Sequence, residues 1–390
     1  MTSTRPRKLL VAFGTRPEAI KLAPVIRELA GRPGAEVRVC LTGQHREMVD
    51  GILSFFGLPQ HDDDLAIMRP NQSLNEIAAR AFEGIDRVLA RFQPDWTLVQ
   101  GDTTTAFVSA LASFHRRVKV AHVEAGLRSH DRFRPYPEEV NRVMTAVVAD
   151  LHFAPTPRAR ADLLAERIPA ERIQVVGNTV VDALRLALPR VQAEGFAATV
   201  RAELPGLDPG RPLVLVTGHR RESFGAPFRE LCLAIRDLAE RNPVQVVYPV
   251  HLNPNVRAPV QELLSGTPNV RLVEPVSYPL LVWLAQRSRF ILTDSGGIQE
   301  EAAALGRPVL VMREVTERRE SVEAGVSRLV GTERAAILEW GERLLRDDQA
   351  YRAMARPVDV YGDGHASERI ADALLGAPGA EPGGEGPGRA

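Results

Sequence analysis

Short, almost wholly apolar runs alternate along this chain with longer segments in which apolar positions recur every three or four residues. The runs Leu9 to Phe13, Val37 to Leu41, Trp96 to Gln100, Val118 to Val123 and His152 to Ala154 read as strands buried on both faces. Between them, Ala19 to Ala30, Leu74 to Phe92 and Thr104 to Phe114 carry the period of amphipathic helices. The alternation is interrupted by one helix-like connector, Val181 to Val200. It then restarts with strands at Leu213 to Thr217, Val244 to Val250, Val270 to Val273, Phe290 to Thr293 and Val309 to Met312. A strand-helix series that runs twice predicts an α/β fold with two parallel sheets, and ligands then collect at the strands' carboxyl ends in a cleft between two lobes. Ser367 to Leu375 is a last helix by pattern, after the turn signal Tyr361-Gly362-Asp363-Gly364.

The length, 390 residues, fits two domains rather than one core. Forty-nine basic and 49 acidic residues cancel, so no global field draws the chain to nucleic acid or to an anionic membrane, and any phosphate affinity is local. The two cysteines, Cys40 and Cys232, sit in different halves without metal-type spacing, which points to a reducing cytoplasm and to neither a disulfide framework nor a thiolate metal site. The apolar stretch near the start breaks at Gly14, too early for a signal-peptide core, and nothing approaches the roughly 18 apolar residues of a membrane span. Pro378 to Ala390, mostly Gly, Pro, Glu and Ala, reads as a disordered tail.

Two turns resemble anion-binding elements: Phe13-Gly14-Thr15-Arg16-Pro17-Glu18, and Thr293-Asp294-Ser295-Gly296-Gly297. Each follows a strand and opens a helix, so each is expected to present free backbone N–H groups to phosphate. Neither has the Walker or the dinucleotide spacing, which removes the usual support for P-loop hydrolysis and nicotinamide redox chemistry. Asp102, in Gly101-Asp102-Thr103-Thr104-Thr105, is either a helix N-cap or a catalytic carboxylate. Glu124 ends the next strand and either faces the cleft or pairs with Arg128. Glu138 and Glu139 follow Arg134-Pro135-Tyr136-Pro137, with Pro137 suited to the first helical position. They either complement a helix dipole or aim one carboxylate across the cleft. His219, among Gly218, Arg220 and Arg221, is placed to donate to a phosphate oxygen. Arg16 and Lys21 add positive charge, unless Lys21 is merely a solvated helix face.

These motifs, with Gln44-His45-Arg46-Glu47-Met48, His122-Val123-Glu124-Ala125-Gly126-Leu127-Arg128, Tyr248-Pro249-Val250-His251-Leu252-Asn253-Pro254-Asn255 and Gly297-Ile298-Gln299-Glu300-Glu301, occur in one order over nearly the whole chain. In them the sequence resembles the bacterial non-hydrolysing UDP-N-acetylglucosamine 2-epimerases. The resemblance implies a GT-B-like pair of Rossmann-like domains, 1–178 and 179–364, with a helix over 365–376 crossing back to the first domain and a tail over 377–390. It implies a cytoplasmic homodimer that needs no cofactor or metal and interconverts UDP-N-acetylglucosamine and UDP-N-acetylmannosamine for surface polysaccharides. In that family UDP is eliminated to an enzyme-bound 2-acetamidoglucal and then added back.

Carried over motif by motif, the resemblance makes Asp102, Glu124, Glu138 and His219 catalytic. Arg16, Lys21, Ser295, Gly296, Gly297, Glu301 and Arg318 hold the nucleotide, and Gln44, His45 and Arg69 line a pocket for a second, activating UDP-N-acetylglucosamine. Three features depart from the family pattern: Arg319 where proline is usual, Val276 and Leu281 in the uridine-side loop, and Ser129-His130-Asp131. The competing readings are a hydrolysing 2-epimerase, a glycosyltransferase on the same architecture and a catalytically silent sugar-nucleotide sensor.

Overall fold

A computed structural model describes residues 5–43, 46–58, 61–69 and 72–376. The expected tail over 377–390 and the positions Gln44 and His45 lie outside the described residues. The chain divides into two compact units, residues 1–183 with 362–390, and residues 184–361.

The first unit is built on a seven-stranded parallel sheet in the order β3-β2-β1-β4-β5-β6-β7. Its strands are β1 (Arg7–Phe13), β2 (Ala35–Leu41), β3 (Asp63–Asp64), β4 (Trp96–Gln100), β5 (Lys119–Val123), β6 (Leu151–Ala154) and β7 (Ile173–Val175). Helices α1 (Arg16–Ala30), α2 (Arg46–Phe55), α3 (Leu74–Phe92), α4 (Thr104–His115), α5 (Glu138–Val148) and α6 (Pro157–Ala165) connect them. Leu9 through Phe13 are all fully buried, as a central parallel strand covered on both faces requires. The sheet order reverses between β1 and β4, the place where doubly wound sheets bind ligands. Gly14, Gly101 and Glu124 follow directly on β1, β4 and β5.

The connector read as one helix is two, α7 (Thr179–Gln192) and α8 (Phe196–Glu203), parted at Ala193-Glu194-Gly195. The second unit has a six-stranded parallel sheet, β10-β9-β8-β11-β12-β13. It comprises β8 (Leu213–Thr217), β9 (Gln245–Pro249), β10 (Val270–Val273), β11 (Ser288–Thr293), β12 (Val309–Val311) and β13 (Ser327–Leu329). Its helices are α9 (Ala226–Arg241), α10 (Pro254–Leu264), α11 (Tyr278–Arg287), α12 (Gly296–Leu305), α13 (Arg319–Glu323), α14 (Arg334–Arg346) and α15 (Asp348–Met354). Val214, Leu215, Val216, Phe290, Ile291 and Leu292 are fully buried between the helical layers.

The last helix, α16 (Ala366–Leu375), belongs to the first unit, as expected of a helix that crosses back. The Asp182 carboxylate in α7 accepts the backbone N–H groups of Ala366 and Ser367 at 3.3 and 2.7 Å and so caps α16. Arg32 pairs with Asp372 at 2.8 Å, and Ile370, Ala371 and Leu374 are fully buried. Among the described residues no helix is long and apolar enough to cross a membrane.

Candidate active site

The chemistry-bearing residues form one cluster in each unit. In the first, the turn after β1 differs from the sequence expectation. Its N–H groups are not free: the Glu18 carboxylate accepts from Gly14 N at 3.1 Å and Thr15 N at 2.8 Å. Thr15 Oγ1 in turn caps α1. The same carboxylate reaches the turn after β4, where Thr103 Oγ1 donates to it at 2.7 Å. Burial raises the Glu18 pKa although four hydrogen bonds from the two turns pull the other way. An internal carboxyl group thus fills the place assigned to phosphate and ties two strand-end turns together.

Glu124 stands directly after β5 at φ 61°, left-handed backbone that a non-glycine residue rarely adopts. Its carboxylate is buried against Lys21, whose Nζ donates to Oε1 at 2.5 Å. Asn178 Nδ2 donates to the same oxygen at 3.3 Å, and Gln100 Nε2 donates to Oε2. Lys21 is therefore not a solvated side chain, and Arg128 is not the partner of Glu124; Arg128 pairs instead with Glu166 at 2.7 Å. Gly126, two residues on, needs its missing side chain: a Cβ there would lie 2.2 Å from the Ala159 carbonyl oxygen, at φ 89°.

Asp102 is not the cap of α4; Thr103 is, through its side-chain oxygen. The Asp102 carboxylate is free of that task and instead takes a forked contact from Arg142 in α5, at 2.9 Å from Nε and 2.5 Å from Nη2. Arg142 Nη1 also donates to Glu139 at 2.9 Å, and Glu139 accepts the N–H groups of Ser129 and His130. Of the two glutamates opening α5, Glu139 is thus a structural anchor. Glu138 differs: its Oε2 is buried and meets no hydrogen-bond partner. Pro137 is the N-cap position and Glu138 the first helical residue, one place later than the prolines suggest.

His122, in β5, is fully buried and bonded through Nε2 to the Gly101 carbonyl at 2.7 Å. Burial pushes its pKa down to about 3, so it stays neutral. It holds the turn that carries Asp102.

In the second unit the turn after β11 keeps the expected form. Ser295 N is taken by Thr293 Oγ1 at 2.9 Å, but the N–H groups of Gly296 and Gly297 open α12 with no protein acceptor among the described residues. A Cβ on Gly296 would sit 2.7 Å from the Arg318 guanidinium carbon, so glycine lets that cation lie against the helix start. Arg318 Nε pairs with buried Glu300 at 2.9 Å. Glu317 follows in the same network: burial opposes its charge, but Arg318 and Arg313 prevail and draw its pKa down to about 2. Arg313 also reaches Glu222 at 2.5 Å, joining this network to the turn after β8. There His219 stacks on His251 with ring centroids 5.3 Å apart. Burial lowers the His219 pKa against the pull of Asp294. Asp294, fully buried, accepts His219 N at 2.7 Å and Arg220 N at 2.8 Å.

Comparison with known proteins fits this arrangement. The family model for UDP-N-acetylglucosamine 2-epimerase matches residues 27–375. The chain belongs to that family. It is 51% identical over 369 residues to the UDP-N-acetylglucosamine 2-epimerase of Escherichia coli K12, covering 94% of this chain and 98% of that protein. The crystal structure of UDP-GlcNAc 2-epimerase from Neisseria meningitidis bound to UDP-GlcNAc superposes with a TM-score of 0.92 at 46% identity, over 94% of this chain and 99% of that one. The glycosyltransferase SnogD from Streptomyces nogalater, 17% identical, shares only the fold, with a TM-score of 0.58 over 95% of this chain and 100% of that one. The fold of this epimerase-family chain is therefore the two-unit, Rossmann-like GT-B architecture expected of it.

Of the departures from the 2-epimerase pattern, Val276 and Leu281 pack in the core of the second unit, and Arg319 opens α13 directly after Arg318. Ser129 and His130 are held by Glu139. Glu301 is buried in α12, and Arg69 is exposed, its N–H bonded to Gln72. Arg142, Gln100, Asn178 and Asp294 were given no role from sequence, because the partners Asp102, Glu124 and the His219 turn lie many residues distant.

Proposed function

We propose that this chain is a non-hydrolysing UDP-N-acetylglucosamine 2-epimerase that interconverts UDP-N-acetylglucosamine and UDP-N-acetylmannosamine without a cofactor, as a cytoplasmic homodimer serving surface-polysaccharide synthesis. A C2 proton of a sugar is not acidic in the ground state. As the anomeric C1–O bond breaks, its electron pair leaves with the diphosphate, and the positive charge at C1 makes the C2 proton removable. A carboxylate takes that proton and the C–H pair becomes the C1=C2 double bond of 2-acetamidoglucal. Protonation of C2 on the opposite face, with diphosphate oxygen returning to C1, gives the epimer. The route therefore needs two proton-handling groups and a stabilised diphosphate.

Asp102, Glu124 and Glu138 are the proton-handling candidates. The observation that carries the reading is Glu124, held at left-handed backbone with Lys21 at 2.5 Å: a strained backbone and a buried ion pair fix where this one carboxylate lies. Glu138, with a buried oxygen that meets no hydrogen-bond partner, is available to the reacting sugar. Gly296 and Gly297 N–H groups, Ser295, Arg318 and Arg16 are assigned to the diphosphate, Glu301 to ribose hydroxyls and His219 to the UDP phosphate or the reacting sugar. Lys21 is assigned to the nucleotide as well as to its ion pair with Glu124. Gln44, His45 and Arg69 are assigned to an activating second UDP-N-acetylglucosamine.

The test is product analysis. Purified protein given UDP-N-acetylglucosamine alone is expected to form UDP-N-acetylmannosamine to a fixed ratio. Free N-acetylmannosamine with UDP as the main products would mean the hydrolysing reaction instead, and no conversion would leave the sensor reading.

A further inference from the structure

Asp294 lies in the Thr293-Asp294-Ser295-Gly296-Gly297 turn that the sequence assigns to phosphate, yet its own side chain points away from that duty. The residue is fully buried. Oδ2 is consumed by the two N–H groups of the His219 turn. Oδ1 is buried and has no hydrogen-bond partner, a state that costs free energy unless a donor lies within reach. The nearest candidate is His219 Nδ1, 3.5 Å away, and a small rotation of that imidazole, two-fifths exposed, closes the gap.

The other groups facing His219 do not compete for Nδ1. His251 stacks on the ring face, and its own Nδ1 already accepts the Asn253 N–H at 3.1 Å. The Tyr248 hydroxyl donates to the Gly218 carbonyl at 3.0 Å. Arg220 is a cation with nothing to accept a proton. His219 Nε2 is bonded by no protein group among the described residues. A carboxylate fixing one imidazole nitrogen so that the other works is the arrangement that sets a histidine's tautomer.

We propose that Asp294 is a positioning residue: it fixes the 218–220 turn and holds His219 as the Nδ1–H tautomer, so that Nε2 is bare and presented to a hydroxyl or amide donor of the UDP-sugar, from which it accepts. The role rests on His219 acting in the reaction proposed above, but the tautomer itself does not. The experiment is long-range proton–nitrogen NMR on the full chain labelled with 15N-histidine at pH 8, with His219 assigned by its loss in His219→Gln.

The parent is expected to show Nδ1 protonated and Nε2 bare. In Asp294→Asn the amide oxygen still accepts both turn N–H groups while its NH2 faces Nδ1. His219 should therefore switch to Nε2–H, and kcat should fall about a hundredfold with KM within about threefold. A merely structural aspartate would leave the tautomer and kcat unmoved in that variant. An Nε2–H parent, or an Asn variant within about threefold of parental kcat, overturns the proposal. Should Asp294→Asn not fold, the parent spectrum alone decides. A parent with the expected tautomer but no turnover would sink the epimerase reading and leave the Asp294–His219 pairing standing.

Discussion

Two adjacent glutamates show how far residue type alone is from role. Glu138 and Glu139 both open α5, but Glu139 is locked to Arg142 and to the Ser129 and His130 N–H groups, whereas Glu138 keeps a buried oxygen without a partner. Glu139→Gln leaves Arg142 and Asp102 in an unbalanced buried network and should cost about 3 kcal/mol in denaturant unfolding. Glu138→Gln should unfold like the parent and lose on the order of a hundredfold in kcat, as should Glu124→Gln and Asp102→Asn. Equal stability losses in the two glutamate variants, or parental turnover in Glu138→Gln, would contradict the division of labour. Residue type and position did not separate the two, since either could complement the helix dipole; only the family resemblance picked out Glu138. The contacts that give Lys21 and Asp102 their partners join residues far apart in the chain, Lys21 to Glu124 and Arg142 to Asp102, and no local pattern announces them.

At the scale of elements, central strands were legible because they are largely apolar: Trp96–Gln100 and Leu213–Thr217 match to the residue, as does the half-buried edge strand Val270–Val273. The edge strands β3, β7 and β13 were missed, since Asp63–Asp64, Ile173–Val175 and Ser327–Leu329 carry no apolar run and owe their form to the neighbour they pair with. One pairing has a measurable consequence. His122 of β5 lies in register with His152 of β6, and burial depresses their pKa values to about 3 and about 4. Both stay neutral in the fold but take a proton in the unfolded chain below about pH 6.5, so unfolded protein binds more protons there. Stability is full above that pH and falls as pH drops through the window down to about 4, by roughly 3 kcal/mol per histidine. Urea unfolding between pH 7.5 and 4.5 should show the decline, and a variant carrying His122→Gln and His152→Gln should flatten it; an unchanged slope would contradict the assignment.

The whole molecule is two Rossmann-like units that the chain crosses twice, out along α7 and back before α16. The return is secured at Asp182, at Arg32–Asp372 and by burial of Ile370 and Leu374. Ending the chain after residue 364 should therefore destabilise the first unit by roughly 4 kcal/mol, while Glu368→Gln, on the exposed side of α16, should leave stability unchanged. Equal unfolding midpoints for the shortened and full chains would contradict a docked α16. The central claim, that loosening the anomeric bond makes the neighbouring carbon acidic, is tested most directly by isotope exchange. Incubation with UDP-N-acetylglucosamine in heavy water, with no added cofactor, should place deuterium at C2 of both UDP-N-acetylglucosamine and UDP-N-acetylmannosamine. Epimer formed with its C2 hydrogen retained from the starting sugar would contradict the account.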